Sequence, residues 1–401
     1  MTPLAKWLSR KFAAGSLDID LPNGKSLTLG QGEPRARIRF DSEAHLSWVL
    51  RDPRMRFPEA YVEGHWEPEN DDLMRVLRFA IRNGGALLSR RGRHWRILRA
   101  RLGEMNNAIR ARRNISHHYD IETPVYRRFL DAEMHYSCAY FAEPGMSLEQ
   151  AQQAKCALIA RKLDLKPGAR VLDIGCGWGG NALHLARNHD VHVTGITLSE
   201  NQVAIARERA AEEGLSKRLD FRLEDYRETE GRFDAIVSIG MFEHVGRPQY
   251  PVFFNKVHDL LAEDGVALLH TIGSSHPPDE GSPWIRKYIF PGGYIPAASE
   301  VLPPLEESGL VMTDFEVLRL HYAMTLSHWH ERFQRHRAEI AERMGERFCR
   351  MWRFYLQASE ATFRWGGLAV FHLQLARDQA RVPLTRDYLC GAGKAARHGA
   401  P

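Results

Sequence analysis

The hydrophobic pattern of this chain changes period along its length. From about residue 150, short apolar runs alternate with amphipathic segments of helical spacing. Strands are expected at Arg170–Ile174, His192–Ile196, Leu219–Leu223, Phe233–Ile239 and Val266–Ile272. Helices are expected between them, at Asn181–Arg187, Glu200–Glu213 and Tyr250–Leu261. This alternation predicts an α/β fold with a parallel, doubly wound sheet. Met312–Leu320 and Leu368–Leu375 read as closing strands, separated by a polar-amphipathic helical stretch over His328–Arg364.

The first 85 residues read differently, as a small α+β unit. Ser16–Leu21 and Lys25–Leu29 flank a Pro-Asn-Gly turn, a hairpin signal, and Ala36–Phe40 reads as a third strand. Helices are expected at Ser42–Arg51 and Asp71–Arg82, the second capped by Asn70-Asp71-Asp72. An Arg-rich helical linker, 86–113, then leads to a catalytic domain over 114–395.

Composition narrows the classes. With 401 residues, 44% hydrophobic and 26% charged, the chain is globular and long enough for two domains. It contains no run of about 20 apolar residues, so no spanning helix is expected. Leu4, Trp7, Leu8 and Phe12 allow a short amphipathic helix, packed on its own domain or laid on a membrane. The five cysteines form no CxxC pair, which argues against structural zinc and disulfides and for a reducing cytoplasm. No metal site is expected. The net charge of +5 is unevenly spread, with Arg90, Arg91, Arg93, Arg96, Arg99 and Arg101 clustered. Such a segment suits anionic lipid headgroups or nucleic-acid phosphates, and a solvated helix face gives the same pattern.

Candidate chemistry begins at Val171–Gly180, VLDIGCGWGG. It reads as a buried strand, a glycine turn and a helix start. Gly175 and Gly177 let backbone approach a ligand where a β-carbon would collide. Asp173 places a carboxylate at the strand end, the edge where open α/β sheets bind small molecules. No Gly-Lys-Ser/Thr follows, and a carboxylate there repels a pyrophosphate. It suits a cationic ligand such as S-adenosylmethionine. Thr197 and Gln202, after the second strand, can bond ribose hydroxyls, although Ser199 and Gln202 also read as a capping box. Asp225 and Tyr226, after the third, offer a carboxylate for an adenine amino group and a ring for stacking.

Three further segments end predicted strands: Met241–Gly246 (MFEHVG), Leu268–Gly273 (LLHTIG) and His321–Leu326. Glu243, His270 and Tyr322 should therefore converge over one cleft. Taken singly, His270 is equally a core histidine and Cys138 a small buried hydrophobe.

YSCAYF (136–141), VLDIGCGWGG, TGITLSENQ, MFEHVG, LLHTIG and KYIFPGGYIP (287–296), in that order, make the chain resemble the cyclopropane-fatty-acyl-phospholipid synthases, mycolic acid cyclopropane synthases included, over nearly its whole length. AYVEGHWE (60–67) is similar to that family's lipid-binding extension. The resemblance implies a Rossmann-like class I methyltransferase sheet and transfer of a methylene from S-adenosylmethionine to a cis double bond of a phospholipid acyl chain. A carbocation forms, and a bound bicarbonate removes a proton to close the ring. The residues implied around that anion are Cys138, Glu243, His270, Ile272 and Tyr322. Those implied for the cofactor are Tyr136, Ser137, Asp173, Gly175, Gly177, Thr197, Gln202, Asp225 and Tyr226. Tyr140, Phe141 or Phe242 would face the cation, and the acyl path would run near Trp284, Ile289, Phe290 and Tyr294. A homodimer at the cytoplasmic face of a phospholipid bilayer is the expected setting, with no nucleic acid partner.

Two other products of the same sequence pattern differ in chemistry. A fatty-acyl C-methyltransferase keeps the scaffold and leaves a methyl or methylene branch. A small-molecule N- or O-methyltransferase leaves the N-terminal region without a use. An RNA-binding reading of the Arg-rich segment needs stacking aromatics on an exposed sheet, which the sequence does not supply.

Overall fold

In this computed structural model, residues 12–84 and 123–389 are described. The Arg-rich segment, the N-terminal residues Leu4, Trp7 and Leu8, and Cys390 lie outside them. The chain divides into two compact units that are not consecutive. The first joins Met1–Leu102 with Asp279–Pro291 and Ala323–Leu368; the second holds Gly103–Pro278, Gly292–Tyr322 and Ala369–Pro401. Sequence order alone placed 279–291 and 323–368 with the C-terminal part. Tertiary contacts group them with the N-terminal strands.

In the first unit, β1 (Gly15–Asp20) and β2 (Ser26–Gln31) form the expected hairpin, antiparallel. β3 (Arg35–Phe40) runs parallel to β1, and β4 (Trp66–Pro68) pairs with β3. A helix over Pro53–Val62 was not visible in the periodicity, because two prolines and scattered charges blur its apolar face. Trp66 closes this sheet onto that helix. Its ring stacks on Phe57 with centroids 4.5 Å apart, and its Nε1 donates to the Phe57 carbonyl at 2.9 Å. Helix Glu346–Trp365 packs on the same helix, where Phe354 meets Tyr61 at 5.6 Å. Its residues Arg350 and Arg353 donate to the Tyr61 carbonyl and to Asp71. The long helical stretch read over 328–364 is broken at His336 and at Gly345, which has φ +82°. No helix among the described residues is long and apolar enough to cross a membrane.

The second unit is a seven-stranded sheet of order β10-β11-β9-β8-β5-β6-β7. β5 (Ala169–Ile174), β6 (Val191–Thr197), β7 (Leu219–Leu223), β8 (Phe233–Ile239) and β9 (Leu261–Ser274) are parallel, as the alternation predicted. β10 (Val311–Leu318) is antiparallel to β11 (Leu368–Ala376), so the sheet is mixed. Successive strand residues point to opposite faces. Val171, Val193 and Val237 join one apolar cluster, and Leu172, Ile174, Ile196 and Ile236 the other. Both faces are therefore covered, the doubly wound arrangement.

Helix Leu148–Lys162 went unread in the sequence. Its start is a capping box: Ser147 Oγ accepts from the Gln150 amide and Gln150 Oε1 from the Ser147 amide. Its buried face carries Gln152, Lys155 and Lys162 among its apolar residues, which hides the helical period. Lys162 is spent on structure, paired with Asp314 at 3.2 Å and Glu316 at 2.6 Å on β10.

Candidate active site

Strand order reverses about β5, which lies between β6 and β8. The crevice at such a reversal is where open α/β sheets bind ligands. The glycine turn leaves β5 there. Gly175 has φ +83°, and an added β-carbon would meet Met241 Cβ at 2.8 Å. Gly177, φ +55°, has nothing within 4 Å of that position, so this glycine borders open space.

Asp173 is 1% exposed and accepts from Asn181 Nδ2 at 3.2 Å. Burial pushes its carboxyl up to about 6, with Asn181, Lys155 and His135 offsetting part of the effect. A ligand cation here would relieve a buried negative charge. The segment from Asp131 to Ser137 runs beside the helix that follows the turn: an added β-carbon on Gly180 would strike the Glu133 carbonyl at 2.6 Å and His135 Nε2 at 2.8 Å. The segment is fixed from several sides. His135 Nδ1 meets Asp131 Oδ2 at 2.8 Å, Gln152 Nε2 donates to the Ser137 carbonyl at 3.0 Å, and Lys155 Nζ to Ser137 Oγ at 3.1 Å. The Tyr136 ring sits edge-on to Tyr126 at 5.3 Å.

At β6, Thr197 Oγ1 donates to Gln202 Oε1 at 2.8 Å and accepts from the Ser199 amide at 3.2 Å. Ser199 caps the next helix through the Gln202 amide at 3.3 Å. The capping box read from the sequence is thus half formed, because the Gln202 side chain turns to Thr197 instead of the Ser199 amide. Asp225, 1% exposed, has both carboxylate oxygens accepting from Arg227, at 2.8 and 2.6 Å. The Tyr226 ring packs edge-on to Phe253 at 5.5 Å, and burial pushes its hydroxyl up to about 12.

The reaction segments meet in two pairs. Gly240 donates to the His270 carbonyl at 2.9 Å, and the Ile272 amide to Glu243 Oε1 at 2.6 Å. The Phe141 amide donates to His321 Nδ1 at 3.1 Å, and the Tyr140 ring stacks on His321 at 4.8 Å, beside Tyr322. Glu243 Oε2 is buried with no hydrogen-bond partner among the described residues. Burial pushes the Glu243 carboxyl up to about 7, against the Ile272 amide, its own amide and the Thr271 hydroxyl. Burial holds His270 neutral, down at about 3, with Lys155 and Lys162 adding to the effect.

Some expectations change at this level. The Ile272 amide, expected to face the anion, is taken by Glu243. The Cys138 thiol, read from the sequence as a small buried hydrophobe, is fully buried and donates to the Ala139 carbonyl at 3.3 Å. Phe242 does not face a cleft. It is fully buried and stacks on Tyr250 at 4.3 Å. Of the acyl-path residues, Trp284, Ile289 and Phe290 belong to the first unit and Tyr294 to the second, where its amide donates to the Glu243 carbonyl at 2.9 Å. Lys155, Asn181, Arg227 and His372 were not singled out. Only Asn181, directly after the glycines, had a readable signal.

The mycolic acid cyclopropane synthetase family matches residues 106–373. The cyclopropane-fatty-acyl-phospholipid synthase of Escherichia coli (strain K12) is 40% identical over 348 residues, 86% of this chain and 89% of that protein. The tuberculostearic acid methyltransferase UfaA1 of Mycobacterium tuberculosis is 34% identical over 396 residues, 94% of this chain and 91% of that one. The crystal structure of mycolic acid cyclopropane synthase CmaA1 complexed with SAH and CTAB superposes with a TM-score of 0.63 at 35% identity, covering 66% of this chain and 97% of that one. Sheet order, glycine turn and sequence agree over more than half of the chain, and it belongs to the mycolic acid cyclopropane synthetase family.

Proposed function

We propose that this protein adds a methylene from S-adenosylmethionine across the cis double bond of an unsaturated phospholipid acyl chain, giving a cyclopropane ring. The observation that carries the reading is Glu243, a buried carboxylate with one oxygen unpartnered, after the strand next to the Asp173 glycine turn. Bound here, S-adenosylmethionine supplies an electrophilic methyl and bicarbonate a small base for the proton lost on ring closure.

The donor set fits both groups. Asp173 would balance a cationic ligand; Tyr136, Ser137, Gly175 and Gly177 would flank it; Thr197, Gln202, Asp225 and Tyr226 would be polar and aromatic partners for a nucleoside. Glu243 Oε2, when ionised, accepts the hydroxyl proton of an oxyanion. His270, the Tyr322 hydroxyl and the Cys138 amide donate to it, while the Ile272 amide acts through Glu243, whose Oε1 it holds. A neutral His270 donates without adding positive charge near a developing cation, and preorganised donors of this kind lower a barrier without reorganising.

The test is lipid mass spectrometry. Purified protein is incubated with vesicles of cis-monounsaturated phospholipid and methyl-labelled S-adenosylmethionine, with and without bicarbonate. A gain of one CH₂ with loss of the double bond, stimulated by bicarbonate, supports the reading. Unlabelled lipid overturns it. The 34% identity to a protein named as a tuberculostearic acid methyltransferase favours a second product, a methyl- or methylene-branched chain. A labelled chain that keeps its double bond identifies that product.

The same reading sets the protein at the inner face of a membrane, since the substrate chain lies in a bilayer. In this reading it acts there as a homodimer, and the positive charge of the sequence 86–113 favours anionic headgroups. Binding to anionic vesicles that falls with salt tests the surface contact, and light scattering tests the dimer.

A further inference from the structure

We propose that His372 is a positioning residue that fixes His270 as the tautomer carrying its proton on Nε2. This rests on the proposed role of His270 as an anion donor, and deepens it.

β9 and β11 are neighbours in the sheet, and they bring two histidines 102 positions apart into contact. His270 is 2% exposed and His372 fully buried. His270 Nδ1 and His372 Nε2 lie 2.8 Å apart, with ring centroids at 4.8 Å. At that distance one nitrogen donates and the other accepts.

Both rings are neutral, since burial depresses each and their mutual repulsion depresses His372 further. Two arrangements remain. If His270 Nδ1 donates, the His372 proton must sit on its own Nδ1, which is buried and has no partner among the described residues. That leaves an orphaned N–H, the rarest kind of buried polar group. If His372 Nε2 donates, its Nδ1 is only an unfilled acceptor. The second arrangement is favoured, and in it the His270 proton resides on Nε2. The partner of one ring nitrogen thus decides what the other can do. Without His372, His270 is free to place its proton on Nδ1, and Nε2 becomes an acceptor that repels an anion.

The test uses the full-length enzyme with isotope-labelled histidine, read by long-range proton–nitrogen correlation near neutral pH. His372→Gln keeps an amide donor and serves for assignment. His372→Leu removes the donor. The expected result is a protonated Nε2 on His270 in the wild type and in His372→Gln, and loss of that preference in His372→Leu. The Leu variant should also need about tenfold more bicarbonate for half-maximal turnover, a loss typical of removing the partner of a functional histidine. Its S-adenosylmethionine affinity should be unchanged, a control for the fold. His270 protonated on Nδ1 in the wild type overturns the proposal, as does an unaltered tautomer in His372→Leu. Should the Leu variant not fold, the wild-type spectrum decides alone. Turnover independent of bicarbonate with the expected tautomers upholds the positioning and overturns only the anion reading.

Discussion

The Ile272 backbone amide donates to Glu243 Oε1 at 2.6 Å, joining the end of β9 to the loop after β8. That one bond orients a carboxylate whose other oxygen has no partner among the described residues. The acid is held in place yet left chemically unfinished, which is how a site differs from a core.

Glu243 should trade stability for activity. Its folded carboxyl is raised to about 7 from an ordinary 4.5, so the folded state binds this proton more tightly than the unfolded chain. The ionised group therefore costs stability, fully above pH about 7, and the cost is relieved as pH falls toward 4.5. Its size is on the order of 3 kcal/mol. Glu243→Gln should melt at a higher temperature than wild type under mildly alkaline conditions, with the gap closing in acid. Its turnover should fall by about 100-fold or more. Paired melting curves and labelled-lipid assays check both; equal melting curves at all pH values contradict the buried charge.

Asp173 should make cofactor binding pH-dependent. Its carboxyl, raised to about 6, loses its charge as pH falls through that value, and a cationic ligand then loses its counter-charge. Affinity for S-adenosylmethionine, measured by calorimetry, should weaken below pH about 6 in the wild type. Asp173→Asn should be weaker by about tenfold, or ~1.4 kcal/mol, and flat across the same range.

Two glycines of the turn should fail differently. A β-carbon on Gly179, φ +84°, would meet the Phe221 ring at 2.9 Å, so Gly179→Ala should lower the melting temperature clearly. Gly177→Ala meets nothing and should cost only its backbone strain, about 1 kcal/mol. Its main effect should be weaker cofactor binding, because the added methyl points into the open space beside the turn.

Arg227 should matter through Asp225. Removing its guanidinium takes two charge-assisted hydrogen bonds from a buried carboxylate and leaves it the backbone amide of residue 227, so Arg227→Ala should destabilise the fold by about 2 kcal/mol. Adding Asp225→Asn should recover much of that loss. A double-mutant cycle in denaturant gives the coupling, and strictly additive losses would exclude it.

The sequence by itself determined the parallel sheet, because strands buried on both faces leave continuous apolar runs and glycine turns leave a composition mark. Strand positions β5 to β8 were legible to within about two residues for this reason. It also determined which chemical groups stand at or just after strand ends, including Asp173 and Glu243, whereas β9 runs on to Ser274 and holds His270 within the strand. Helix Leu148–Lys162 was illegible, since Gln152, Lys155 and Lys162 on its buried face look like solvent positions until their partners are known. Tertiary structure alone decided the grouping of 279–291 and 323–368 with the N-terminal strands, and the pairing of His270 with His372. Both depend on contacts between distant segments, which leave no local period. The upward shift of the Glu243 carboxyl was decided there too, because burial, its largest cause, exists only once the chain has folded.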